Sequence, residues 1–193
     1  MKILVTGFEP FGGSDVNSSW ETAVLVGQQS FSDVEVVVRQ LPVCFGRVGD
    51  EIVGLLEELR PDALVMLGQR GKGVSVDVER IAVNLMDSAK PDNGGCHPQE
   101  EPIVSGGVPA YFSNLPVKGL RDSVLAAGVP SKVSNSAGLY VCNCAYYSAL
   151  SAIQRLNSQI KCVFLHLPKI SEEFPVDRLA LSVGAVIEEI IKI

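Results

Sequence analysis

Two histidines are all that 193 residues contain. That shortage removes one class of chemistry, because no paired set of imidazoles exists to hold a transition metal. Cysteine occurs five times, an odd number, with no C-x-x-C spacing anywhere. A disulfide framework is therefore not expected, and reduced thiols in the cytoplasm are. Positive charge is short as well. Sixteen Lys and Arg against 22 Asp and Glu leave a net charge of −6 and a pI near 4.9. No basic cluster is left to displace counterions from nucleic acid or to settle on an anionic membrane, so neither partner is expected. No stretch approaches the roughly 20 apolar residues of a membrane span. The opening run MKILVTGF has one lysine and too little apolar length for a secretory signal. Repeats, linkers and low-complexity tracts are missing too.

What is present suits an ordinary, somewhat apolar globular protein: 47% of the residues are hydrophobic and 20% charged. This length is enough to bury a large core, and one domain is expected over 1–193. Strands are expected at 2–6, 34–38, 63–67, 132–134 and 162–165, and helices over 48–59, 120–127 and about 176–191. Ser18-Ser19-Trp20-Glu21 has the spacing of a capping box, so a helix is expected from Ser18 to about Gln28. The segment 74–79 alternates strictly, which places Ser75, Asp77 and Glu79 on one face of a strand. The alternation continues through Ile81 and Val83, and this hairpin-like look adds antiparallel pairing. The fold class that follows is α/β, layered about a mixed, largely parallel sheet. Sites in such sheets gather at the carboxyl ends of strands. GFEPFGG at 7–13, the run 68–71 and His166 each follow an expected strand. The loop over 86–105 is polar, rich in Pro and Gly, and long enough to read as a functional flap.

The chain is organised around 134–154, SNSAGLYVCNCAYYSALSAIQ. A polar run, Ser134 to Gly138, supplies candidate N-caps, and Val141, Ala145, Leu150 and Ile153 mark a largely buried helix. Cys142 falls in its first turn, beside unpaired N–H groups and the positive end of the helix dipole, which favours a thiolate nucleophile. An inert, packed cysteine fits the same position. A thiolate needs an imidazole, and the imidazole needs an orienting group. His97 lies in the long loop and is expected to be exposed. His166, closing an apolar strand, is either a satisfied core histidine or the catalytic base. Glu79 is either its partner or half of an ion pair with Arg80 or another cation.

Seven segments, in order, carry a resemblance. They are GFEPFGG at 7–13 with Asn17 and Ser19-Trp20, LPV at 41–43, Gly68-Gln69, VERIAVN at 78–84, PDN at 91–93, SAGLYVCN at 136–143 and FLHLP at 164–168. Over nearly its full length the chain resembles the pyrrolidone carboxyl peptidases, also called pyroglutamyl peptidase type I. The resemblance implies a cysteine peptidase that removes an N-terminal pyroglutamyl residue from small peptides. It places the triad on Glu79, Cys142 and His166, with Cys142 the nucleophile, His166 the general acid and base, and Glu79 orienting His166. It puts the two aromatic rings that sandwich the lactam on Phe8 and Phe11, with Asn17 and Gln69 as polar supports. Backbone N–H groups at the start of the Cys142 helix would form the oxyanion hole.

The resemblance further implies a three-layer α/β/α sandwich assembled into dimers or tetramers, with no cofactor and no metal. GFEPFGG also lacks the lysine of a phosphate-binding loop. The chain departs from the family at three points. Many members carry arginine two residues before the PDN proline, where Ala89 stands here with Lys90 next to it. Asn-Pro-Ser has become Asn17-Ser18-Ser19, and Cys144 replaces a histidine or aromatic. Two other readings stand beside the first: a related cysteine amidohydrolase for another small amide or lactam, or a catalytically weak relative, and a non-enzymatic thiol module. The last is disfavoured by geometry, since Cys142 and Cys144 point about 200° apart on a helix.

Overall fold

A computed structural model describes residues 1–193, and its eight strands and five helices divide the chain between two sheets and two helical layers. The main sheet uses β1 (Lys2–Phe8), β2 (Glu35–Leu41), β3 (Ala63–Arg70), β4 (Val76–Glu79), β7 (Ser131–Ser134) and β8 (Lys161–Pro168). Its order is β2-β1-β3-β8-β4-β7. The first four of these are mutually parallel, β4 runs antiparallel to β8, and β7 is parallel to β4. The sheet is thus mixed and largely parallel, as the alternation of strands and helices led one to expect.

Side chains alternate across the strands, so each face of the sheet has its own core. Leu4, Phe8, Leu64, Met66, Cys162 and Phe164 pack under α2 (Phe45–Leu59) and α4 (Val141–Arg155). Ile3, Val5, Val65, Leu67, Val163 and Leu165 pack under α1 (Ser18–Val26), α3 (Val117–Ala126) and α5 (Val176–Lys192). That is the α/β/α sandwich. No helix is long and apolar enough to cross a membrane.

Four expectations need correcting. The alternation past Glu79 does not continue one strand. The ladder breaks at Arg80, and β5 (Ile81–Val83) leaves to pair with β6 (Ala110–Phe112) in a separate antiparallel ribbon. Only non-local pairing decides between those two outcomes, and a period of two cannot. The cap of α1 is Asn17, not Ser18: its side chain accepts from the Ser19 N–H, and no bond from Glu21 closes the box. None of the polar residues 134–138 caps α4. Its cap is Tyr140, with no side-chain bond to the helix. Gly7-Phe8, Gly68-Gln69-Arg70 and His166 lie within β1, β3 and β8 rather than after them.

Candidate active site

The site forms where β3, β4 and β8 meet the first turn of α4. Parity puts Gly68 and Arg70 of β3, Asp77 and Glu79 of β4, and His166 of β8 on the face that α4 covers. Asp77 is the cross-strand partner of His166 and Glu79 that of Phe164, so Glu79 and His166 are diagonal neighbours across an antiparallel pair. Such diagonals are within reach of long side chains. Glu79 Oε1 lies 2.7 Å from His166 Nδ1, with both residues buried. Their meeting was not fixed by either residue alone: 87 positions of chain separate them.

Cys142 comes to the same imidazole from the helix. It is half-buried, lines the same cleft as His166, and its sulfur acts on the imidazole as an acidic partner. Since Nδ1 is engaged by Glu79, the ring offers Nε2 to the sulfur. Burial by itself pushes the imidazole pKa down, but the hydrogen bonds and negative charges of Cys142 and Glu79 outweigh it, and the ring is raised to about 9. At neutral pH the ring is therefore an imidazolium between two acidic groups.

Local sequence explains how the sulfur is delivered. Gly138 turns the chain at φ +76°, a conformation that side-chain-bearing residues rarely adopt, just ahead of the helix. The first helical amides to find a carbonyl are those of Asn143 and Cys144, both donating to Tyr140 O at 3.0 and 3.2 Å. The N–H groups of Val141 and Cys142 come before them and have no helical partner. An oxyanion beside the sulfur is what such groups would stabilise. Asn143, fully buried, spends its amide on the other side. It accepts from Val83 N and donates to Val83 O and Leu85 O, which fixes the β5 segment against the nucleophile helix.

The remaining expected residues assemble next to the sulfur. Phe8, Phe11, Asn17, Gln69 and Tyr140 line a pinched hollow of about 10 Å³ that reaches Cys142. Phe8 is buried and packs on Phe164 with ring centroids 6.4 Å apart, whereas Phe11 is partly exposed and faces Tyr140 at 6.3 Å. Gln69 accepts from Ser18 N at 2.9 Å and makes no bond through its Nε2. Asn17 is mostly committed to structure: it caps α1 and donates to Glu9 O. Outside this hollow an open cleft of about 610 Å³ includes Cys142, His166, Ala89, Lys90 and Lys169. His97 is not part of it; the ring is exposed and its Nε2 sits 2.6 Å from Ser88 O.

Two things escaped the sequence. The cation at Glu79 is Arg70, 3.1 Å from Oε1, and not Arg80, which donates to Asn135 instead. The PDN motif is a clamp. Asp92 accepts from Phe45 N at the head of α2, and Asn93 donates to Glu9 Oε1 and Pro10 O, so three loops are tied together at the rim of the hollow. The tripeptide by itself gave no hint of which groups it would bind.

Known proteins share this arrangement of chain. A family model described as pyroglutamyl peptidase matches residues 1–191. A pyrrolidone-carboxylate peptidase of Thermococcus onnurineus (strain NA1) is 44% identical over 173 residues, covering 90% of this chain and 86% of that one. One from Yersinia pestis (strain Pestoides F) is 37% identical over 172 residues, covering 89% and 80%. The pyrrolidone carboxyl peptidase of Pyrococcus furiosus superposes with a TM-score of 0.95 at 35% identity, covering 100% of this chain and 99% of that one. Pyroglutamyl peptidase I of Bacillus amyloliquefaciens gives 0.90 at 31%, covering 96% and 94%.

Proposed function

This chain belongs to the pyroglutamyl peptidase family, and on that premise we propose that it removes an N-terminal pyroglutamyl residue from peptides through a thioester on Cys142. The observation that carries the reading is the line Glu79 Oε1, His166, Cys142: a 2.7 Å contact joins the first two, and His166 and Cys142 face one cleft. The Cys142 thiolate attacks the acyl carbonyl of the pyroglutamyl residue, and the oxyanion forms against the free N–H groups at the head of α4. His166 then gives its Nε2 proton to the departing amine as the C–N bond breaks, leaving the thioester. Water attacks the thioester carbonyl, His166 takes its proton, and the C–S bond breaks to free pyroglutamate. Glu79 holds Nδ1 throughout.

Phe8 and Phe11 bind the lactam between their faces, with Gln69 Nε2 as donor to it and Asn17 supporting the loop. A hollow of about 10 Å³ holds about one water molecule. A five-membered ring is larger, so Phe11, the less buried ring, gives way as substrate enters. The cleft beyond takes the following residues of the peptide.

The same reading makes the protein a cytoplasmic homo-oligomer. All five cysteines are free, which suits a reducing compartment. Val108 and Phe112, exposed and lining one hollow near α4, are apolar surface of the kind a second copy would cover. Sedimentation velocity of pure protein tests the assembly.

The test of the activity is hydrolysis of a pyroglutamyl aryl-amide beside the prolyl aryl-amide, by wild type and by Cys142→Ala. Cleavage of the first substrate alone, abolished in the variant, is the expected result. A folded, reduced wild type that cleaves neither would move the assignment to another small amide or lactam.

A further inference from the structure

We propose that Arg70 is a positioning residue of this active site: it sets the carboxylate that orients His166 and ties that carboxylate to the segment delivering Cys142. The guanidinium reaches three groups at once. One nitrogen donates to Asp77 Oδ2 at 2.6 Å, and the other to Glu79 Oε1 at 3.1 Å and to the Ser136 carbonyl at 3.2 Å. Ser136 belongs to the short run that leads through Gly138 into α4. A single side chain thus connects the orienting carboxylate with the approach to the nucleophile.

Glu79 has reason to need it. The carboxylate is fully buried, and its Oε2 has no hydrogen-bond partner. Both donors that hold it, His166 Nδ1 and Arg70, meet at Oε1. Nothing on the far oxygen resists rotation, so loss of Arg70 leaves the imidazole as the sole tether. The charged groups facing the Glu79–His166 pair are few: Arg70 from β3, Asp77 from β4 and Cys142 from α4, with Lys132 from β7 behind Asp77 at 3.7 Å. Asp77 is itself buried and accepts from Ser75 at 2.7 Å, which anchors the guanidinium from below. A planar fork can serve two carboxylates and a carbonyl together, whereas an ammonium cannot match that geometry.

The placement also answers a gap in the long loop. Ala89 stands where the family resemblance leads one to expect arginine, and Ala89 and Arg70 line the same cleft. In this chain the guanidinium at the site comes from the sheet.

The inference rests on the roles proposed for Glu79 and His166, and the test separates the two. Arg70→Ala and Arg70→Lys are compared with wild type by kcat and KM on the pyroglutamyl aryl-amide, and by NMR titration of the two histidines, with exposed His97 as internal reference. In Arg70→Ala, kcat is expected to fall about 10- to 100-fold with KM changed less than about threefold. The His166 midpoint is expected to move by about half a pH unit or more, because the charge and the hold on its partner have both changed. Arg70→Lys keeps the charge without the fork, so its kcat falls between the two. A variant that melts lower yet turns over and titrates as wild type does would make Arg70 a stabilising ion pair only, and the inference would be wrong. If Arg70→Ala does not fold, Arg70→Lys decides by the same criteria. A wild type without turnover would sink the proposed activity, and the histidine titration would still decide whether Arg70 acts on His166.

Discussion

The Cys142 sulfur occupies space that residue 68 leaves by having no side chain. A Cβ on Gly68 would stand 3.1 Å from Sγ and 2.7 Å from the Phe164 ring. Gly68 is also the register partner of His166 on the neighbouring strand. The vacancy therefore lies beside the imidazole, on the face that α4 covers, and it lets sulfur and ring meet.

Gly68→Ala should consequently damage activity as well as stability. Phe164 is fully buried and cannot swing away freely, so overpacking is expected to cost about 1–3 kcal/mol. The sulfur has to yield by only a few tenths of an ångström, so kcat is expected to fall about 10-fold, less than for a full 1 Å misplacement. Thermal melting and steady-state kinetics on the same preparation read both. Wild-type turnover in a destabilised variant would mean that the sulfur does not depend on this vacancy.

The pH dependence of stability has a definite sign. The His166 pKa rises from about 6.5 in an unfolded chain to about 9 in the fold. A raised pKa means that the folded state holds the proton more tightly. The stabilisation is fully present below about pH 6.5 and is lost as pH rises through about 9. Wild-type Tm should fall across that interval, and the fall should shrink in Cys142→Ala, where one of the two groups favouring the imidazolium is gone. The alkaline limb of kcat/KM should lie in the same region, since His166 must hold a proton to release the amine. An alkaline limb unmoved by any change at His166 or Glu79 would point to a different acid.

The thiols should divide by burial. Burial pushes the Cys144 thiol up to about 12, only partly offset by a hydrogen bond with Ser148, and raises that of Cys162 further. Brief iodoacetamide treatment at pH 7, read by peptide mass spectrometry, should label the half-buried Cys44 and Cys142 and the exposed Cys96, and spare Cys144 and Cys162. Loss of activity should follow labelling at Cys142 alone. Inactivation by modification of Cys96→Ser protein at some other cysteine would contradict the nucleophile assignment.

Phe8 and Phe11 belong to one motif but should respond differently to truncation. Phe8 is core, packed on Phe164, so Phe8→Ala is expected to cost about 3–5 kcal/mol of stability as well as substrate affinity. Phe11, partly exposed, should mainly raise KM when changed to Ala, with Tm close to wild type. Equal losses of Tm in the two variants would show that Phe11 is structural.

How much was legible beforehand differs from residue to residue. Strand and helix alternation follows from short-range apolar spacing, and it fixed the layered α/β architecture and the helix that carries Cys142 in its first turn. The shared face of Ser75, Asp77 and Glu79 came from the same kind of period. Cys162, inside an apolar strand, read as packing, and it is buried; Cys96 and Cys144 could not be ranked, because exposure is a property of the packed molecule.

Sequence alone determined the strands of the main sheet, the helices that cover it, and that one cysteine would sit at a helix N-terminus. These depend on neighbours within a turn or two, where periodicity and turn chemistry act directly. Tertiary structure decided everything that joins distant segments: the 2.7 Å contact of Glu79 with His166, the choice of Arg70 over Arg80 as its cation, and the break at Arg80 that sends β5 to β6. Each depends on strand order and register across the sheet, where many pairings suit the same alternating pattern and the packing of the whole core selects one.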